Sequence, residues 1–263
     1  MALDLLAHLI KSLWGFWLAL AAAVASILYF RKAKWEEPTE KEIEGRPRSA
    51  LTNLLFRRWF YWILEPLEKE LLAWKVSPDA LNWAGLWLNI LAAIAIGAGA
   101  PGTAAALIAF GGACDILDGR IARKTGAVSL RGAFTDSTLD RYADAANFAG
   151  LLWLLHGQKF PTLLVFLAAC GSLLVSYARA RGEALGVPDA PGFAQRPERI
   201  VTLVFALLAS AVEASLVSFR GGVPQYYILS GALLFLAGTT QVAAAERFSH
   251  ARKFLSGKER AAA

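Results

Sequence analysis

Apolar runs of membrane-spanning length recur along this chain, separated by short polar links. A helix needs about twenty mostly apolar residues to cross a bilayer. The pattern predicts seven such helices, at roughly 13–30, 81–100, 104–119, 138–156, 160–178, 199–218 and 224–245. The last six follow one another with short connections and predict a six-helix bundle within residues 76–256, before a tail at 257–263. The first stands apart. Met1–Phe30 begins with a short, weakly charged stretch and continues as an apolar run too long for a secretory signal core, so it reads as a retained transmembrane anchor. Residues 31–49 are charged and contain proline, the character of a linker on the cytoplasmic side. Residues 50–75 interleave Arg57, Arg58, Trp59, Tyr61 and Trp62 with leucines, then add Glu65, Glu68, Lys69 and Glu70. That mixture predicts an amphipathic helix lying in the membrane interface; a linker helix packed on the cytoplasmic face is the competing reading. The fold class is therefore all-α integral membrane: a six-helix transmembrane bundle, an extra N-terminal transmembrane helix and an interfacial helix. No internal repeat is visible.

Composition agrees. Hydrophobic residues are 56% of the chain and mean hydropathy is +0.44, values that exclude an ordinary soluble domain. Charge then sets orientation, because Lys and Arg accumulate on the cytoplasmic side. Of the 27 Lys and Arg residues, 24 fall in 31–80, 120–141, 179–199 and the tail from Arg247; Lys11, Lys159 and Arg220 lie on the other side. A multi-pass protein of the cell's inner or plasma membrane follows, with those four segments in the cytoplasm. The net charge of +6 is thus topological and suits anionic headgroups, with no role for nucleic acid. Cys114 and Cys170 fall inside apolar spans, so neither a disulfide nor a cysteine metal site is expected.

Against this apolar background one stretch stands out: Asp115-x2-Asp118-Gly119-x2-Ala122-Arg123-x8-Gly132-x3-Asp136-x3-Asp140. Carboxylates within membrane spans are costly, so they face a wet cavity, pair with cations or mark function. Asp115 and Asp118 are three apart, Asp136 and Asp140 four apart, so each pair shares a helix face. Two facing helices would aim four carboxylates at one point, a hard-oxygen set suited to Mg²⁺ or Mn²⁺. A solvated helix end with scattered salt bridges is the plainer alternative. Gly119 and Ala122 leave a strip without bulk where a nucleotide can approach, and Arg123 offers a fork of donors to phosphate. Gly132 either does the same or turns the chain. Together these features describe phosphoryl transfer from a diphosphate bridged by two cations about 3.5–4 Å apart.

The same residues resemble the signature of the CDP-alcohol phosphotransferases, at every fixed position and with the family's spacing. The resemblance covers roughly residues 70–256. It implies a six-helix bundle, commonly a homodimer, whose site opens to the cytoplasm and inner leaflet and takes CDP-diacylglycerol. It also implies that Asp115, Asp118, Asp136 and Asp140 bind metal, and that Asp140 is the catalytic base. The segment Gly132-Ala133-Phe134-Thr135-Asp136-Ser137-Thr138-Leu139-Asp140-Arg141 is similar to the subgroup of phosphatidylinositol phosphate synthases, as are Ser176-Tyr177-Ala178-Arg179-Ala180-Arg181 and Gln195-Arg196-Pro197-Glu198-Arg199. That likeness implies a phosphorylated acceptor such as inositol 1-phosphate, held by Ser176, Arg179, Arg196, Arg199 and Arg247, since forked cations suit phosphate. Ordinary positive-inside anchors are the competing reading of each arginine. The chain departs from the family where Arg179 replaces a lysine, where Glu246 replaces a glutamine, and where Pro78-Asp79-Ala80-Leu81-Asn82 replaces Pro-Asn-x-x-Thr. Asp79 is accordingly the expected nucleotide contact at the first core helix.

Other acceptors within the family (glycerol 3-phosphate, inositol, serine) remain open from sequence. So does an intramembrane Mg²⁺-dependent prenyltransferase, although that class has no use for the Ala-Arg and the glycine that follows. A cation transporter gains nothing from the motif, and no inverted repeat supports one. Trp74, Trp83 and Trp87 read as interface-belt residues. Glu213, deep in the sixth span, either pairs with Arg220 or lines the bundle. His8, His156 and His250 form no ligand cluster.

Overall fold

The computed structural model describes residues 54–188 and 194–262, all of whose regular structure is helical. The anchor expected at Met1–Phe30, the linker at 31–49 and the first residues of the amphipathic segment lie outside the described residues. The helices are α1 (Leu54–Ala73), α2 (Pro78–Gly97), α3 (Pro101–Thr125), α4 (Leu130–Leu155), α5 (Lys159–Ala184), α6 (Arg196–Phe219) and α7 (Tyr227–Ala262). Four of them, α2, α5, α6 and the stretch Tyr227–Arg260 of α7, are long and apolar enough to cross a membrane. The helices carrying the aspartates are longer than the spans expected at 104–119 and 138–156. The polar stretch is itself helical, interrupted only by the link 126–129, so the carboxylates extend apolar helices and do not sit on a loop.

Local chemistry explains the boundaries. Ser77 caps α2, its hydroxyl accepting from the Ala80 amide at 3.2 Å, with Pro78 in the first turn. Gly126 ends α3 in the left-handed region at φ 69°, a conformation that suits glycine. Ser129 then starts α4 by accepting from the Gly132 amide at 3.0 Å. Gln195 and Glu198 form a reciprocal capping box at the head of α6, beside Pro197. The head of α7 is capped from another helix. Glu213 of α6 accepts from the Tyr227 and Ile228 amides at 2.8 and 3.0 Å, which accounts for the deep carboxylate of the sixth span.

Helices α2 to α7 close into a ring in the order α2, α3, α6, α7, α5, α4, each packed on the next. All six contribute to one apolar core, including Ile96, Ile108, Leu151, Val165, Leu207 and Leu233. That core occupies the half of the ring away from the aspartates. α2 stands between α3 and α4, the two aspartate helices, and small residues let it approach both. A Cβ on Gly111 would lie 2.5 Å from Asn89 Nδ2, and one on Gly150 would lie 2.5 Å from the Ala93 carbonyl oxygen. Asn89 also ties α2 to α4, accepting from Asn147 at 2.7 Å while its own amide group donates back along α2 to the Gly85 carbonyl at 2.8 Å.

This packing makes a signed prediction. Gly→Ala inside a helix is ordinarily stabilising by about 1 kcal/mol. Gly150→Ala should instead lower the unfolding temperature in detergent micelles, since overpacking against backbone costs typically ~1–3 kcal/mol. Gly238→Ala, with nothing within 4 Å of the added methyl, should be neutral or slightly stabilising.

Candidate functional site

On α3, Asp115, Asp118, Gly119 and Ala122 recur at helical spacing and share one face. On α4 the strip is Asp136, Asp140 and Asp144. Because both helices pack chiefly on α2, the strips face across a gap. Carboxylate oxygens of Asp115, Asp136 and Asp140 come within 4.8 Å of one another. Asp118 is buried one turn on, outside that group, with one oxygen accepting from the amide of Gly119. At this separation, like charges repel by on the order of 3 kcal/mol per pair at an effective dielectric constant near 20. Something positive must offset that.

Arg196 supplies the offset from a third helix. Its Nη1 lies 3.1 Å from Asp115 Oδ1 and 2.9 Å from Asp140 Oδ1, and its Nε lies 3.5 Å from Asp144 Oδ1. The capping box at Gln195 and Glu198 fixes the first turn of α6, so the guanidinium is aimed by backbone geometry. One turn on, buried Arg199 donates to the Ala194 carbonyl at 2.9 Å and to Asp144 Oδ2 at 3.3 Å. Asp144 therefore holds two arginines at once. Sequence reasoning passed over it, although it continues the four-residue spacing of Asp136 and Asp140. Arg141 lies 3.7 Å from Asp140 and donates to the Ser137 carbonyl at 2.5 Å.

The remaining expected site residues fall into three places. Arg123 is exposed and folds back over Gly119, its Nη1 standing 3.3 Å from where a Cβ on that glycine would be. Gly132 forms the capped first turn of α4, and Ala122 lies half-buried beside Arg123. Asp79, in the first turn of α2, accepts from Arg131 at 3.4 Å, linking the heads of α2 and α4. The four expected acceptor arginines divide into pairs. Arg196 and Arg199 are at the carboxylates, whereas Arg179 and Arg247 line a depression between α5 and α7 with Gly182 and His250. Arg179 also pairs with Glu183 at 2.8 Å. Ser176 is half-buried on α5.

A cavity lined by Asn82, Gly85, Asn89, Gly111, Asp115, Asp140 and Arg196 opens between α2, α3, α4 and α6. Its donor set of carboxylate oxygens suits a hard divalent cation. The guanidinium between Asp115 and Asp140 marks the point at which the fold stabilises positive charge. Cys114 and Cys170 are free thiols and contribute no further ligand. Trp74, Trp83 and Trp87 are exposed on the outside of the bundle and line no site cavity.

Comparison with known proteins adds the following. Residues 75–242 match the family model described as CDP-alcohol phosphatidyltransferase. The chain is 34% identical over 209 residues to the phosphatidylinositol phosphate synthase of Mycobacteroides abscessus, covering 77% of this chain and 89% of that one. It is 36% identical over 151 residues to the archaetidylinositol phosphate synthase of Pyrococcus horikoshii, covering 57% and 79%. Among solved structures it resembles the phosphatidylinositol phosphate synthase of Mycobacterium tuberculosis with CDP-DAG bound. The TM-score is 0.60 at 28% identity, over 71% of this chain and 92% of that one. The same enzyme in complex with manganese and citrate matches with a TM-score of 0.60 at 28% identity, over 71% and 87%.

The double anchoring at Asp144 can be tested through stability. Asp144→Asn leaves buried Arg199 without its charged partner and should cost about 1.5–3 kcal/mol, read as a lower unfolding temperature in micelles. Glu183→Gln removes an exposed pair of the same chemistry and should shift stability by less than about 0.5 kcal/mol.

Proposed function

The chain belongs to the CDP-alcohol phosphatidyltransferase family, and from that membership we propose that it transfers the phosphatidyl group of CDP-diacylglycerol to a phosphorylated polyol, inositol 1-phosphate in kind, releasing CMP. The observation that carries this reading is the convergence of Asp115, Asp136 and Asp140 at a cavity walled by Gly85 and Gly111, with an arginine at its centre. The names of the similar enzymes support the acceptor.

In this reading Asp115, Asp118, Asp136 and Asp140 hold two divalent cations, Mg²⁺ or Mn²⁺. Bound there, the cations neutralise diphosphate charge in the transition state. Asp79, Gly119, Ala122, Arg123 and Gly132 receive the cytidine nucleotide, the small residues by letting it approach the α3 backbone. Asp140 takes the proton of the acceptor hydroxyl. That oxygen bonds to the lipid-proximal phosphorus as the bond from phosphorus to the CMP oxygen breaks. The acceptor's phosphate carries about two negative charges near neutral pH and must enter beside a diphosphate. Ser176, Arg179, Arg196, Arg199 and Arg247 supply the opposing donors and charge. Arg196 already lies 2.9 Å from Asp140, so a phosphate held on its fork brings the acceptor near the base. The membrane arrangement we propose is the six-helix bundle with the N-terminal anchor and interfacial helix, working as a homodimer with its site facing the cytoplasm.

The test is CMP release by purified protein from CDP-diacylglycerol micelles containing Mg²⁺. Inositol 1-phosphate should be used in preference to inositol, glycerol 3-phosphate and serine. EDTA should abolish release and Mg²⁺ or Mn²⁺ restore it. Asp115→Asn, Asp118→Asn and Asp136→Asn should each cost orders of magnitude in rate, since several kcal/mol of barrier are at stake. Asp140→Asn should lower kcat more than it weakens CDP-lipid binding. Arg179→Ala or Arg199→Ala should raise KM for the acceptor about tenfold or more, as charge-assisted contacts contribute roughly 1.5–3 kcal/mol each. Equal use of free inositol, with both arginine variants behaving as wild type, would overturn the acceptor. Full activity in EDTA would overturn the metal mechanism.

A further inference from the structure

Among the described residues, the most completely buried charged side chain is on α1, a helix that precedes the family-matched residues 75–242. Glu68 is 0% exposed, yet it is a carboxylate on the helix expected to lie at the membrane surface. Both of its oxygens are engaged by α3. Arg120 Nη2 lies 2.5 Å from Oε2, and Lys124 Nζ lies 2.7 Å from Oε1. Arg120 is itself buried, and its guanidinium sits 4.8 Å over the ring of Tyr61, seven residues before Glu68 on α1. Leu64 of α1 completes the contact against Leu117 and Ile121.

The spacing on α3 gives this contact its meaning. Leu117, Arg120, Ile121 and Lys124 recur at helical spacing and form the face that α1 grips. Asp115, Asp118, Gly119 and Ala122 recur at the same spacing, two residues out of step, and face the site. Gripping the first face sets the rotation of the second. Two cations from successive turns, each close to a different oxygen of one buried carboxylate, tie that rotation down at two points along α3. Such a contact is costly to bury for stability alone, since apolar residues of similar size commonly do as well.

We propose that Glu68 is a positioning residue for the transfer reaction: through Arg120 and Lys124 it fixes the rotation of α3, and so the aim of Asp115 and Asp118. This rests on the function proposed above, and it makes α1 part of the catalytic apparatus. A misplacement of 1 Å at reacting groups costs on the order of 100-fold in rate.

The experiment compares wild type, Glu68→Gln and the double variant Glu68→Gln with Arg120→Gln, which removes both buried charges. Each is measured for unfolding temperature, Mn²⁺ affinity by electron paramagnetic resonance, and kinetics of CMP release at saturating Mg²⁺. Positioning predicts that both variants bind Mn²⁺ more weakly, by roughly tenfold, and lose kcat by a similar or larger factor. KM for the acceptor should stay near wild type, because its arginines lie on α5, α6 and α7. The double variant should recover unfolding temperature relative to Glu68→Gln without recovering Mn²⁺ affinity. If Glu68→Gln does not fold, the double variant alone decides by its Mn²⁺ affinity. Wild-type Mn²⁺ affinity and kcat in the folded double variant would overturn the proposal and leave Glu68 a stabilising contact only. Wild-type protein that binds Mn²⁺ but releases no CMP from any acceptor would count against the proposed reaction, and the Mn²⁺ comparison would still decide the role of Glu68.

Discussion

Three carboxylates held within 4.8 Å of one another repel, and the aspartate end of this bundle is built around overcoming that repulsion. Cation and backbone share the task. Arg196 places one guanidinium against Asp115 and Asp140, and Asp144 restrains both Arg196 and Arg199 from behind. The capping box at the head of α6 fixes the turn that carries Arg196. The backbone contribution comes from α2, which brings the two aspartate helices to a fixed separation through Gly85, Gly111 and Gly150 and the buried Asn89–Asn147 pair. The gap is therefore a product of packing, and its charge is balanced by residues from outside the motif.

The ring divides its labour along its length. One half is closed by an apolar core to which all six helices contribute. The other half carries the carboxylates, the arginines and the cavity between α2, α3, α4 and α6. Rigid packing at one end allows helices to stay apart at the other, where the proposed reaction needs two substrates to reach the same oxygens. The grip of α1 on the far face of α3 extends this logic past the ring, since it adds a buried ion cluster behind the aspartate strip.

Much of this was legible in the sequence, for definable reasons. Spacings of three and four residues place carboxylates on one helix face whatever the tertiary structure, so Asp115 with Asp118 and Asp136 with Asp140 were readable as pairs. Ring order was not, because hydrophobic spans do not record which helices are neighbours. Hence the arginines taken together from sequence divide between the carboxylates and the α5–α7 depression. Asp144 carried a local signal, the continued four-residue spacing, that was outweighed by the motif ending at Asp140. Glu68 carried none. Its partners lie more than fifty residues away, and within α1 its residue type does not set it apart from the half-buried Glu65 and the exposed Glu70 around it. Glu213 was visible as an anomaly, but only structure shows it capping α7.

The most direct measurement is an electron paramagnetic resonance titration of wild type and Asp136→Asn with Mn²⁺ in CDP-diacylglycerol micelles. Wild type should bind two ions saturably, close enough for their spins to couple, as expected of cations about 3.5–4 Å apart. Asp136→Asn should lose the coupled signal while remaining folded. Indistinguishable Mn²⁺ binding by the two proteins would contradict a metal site at the carboxylate cluster, and with it the proposed chemistry.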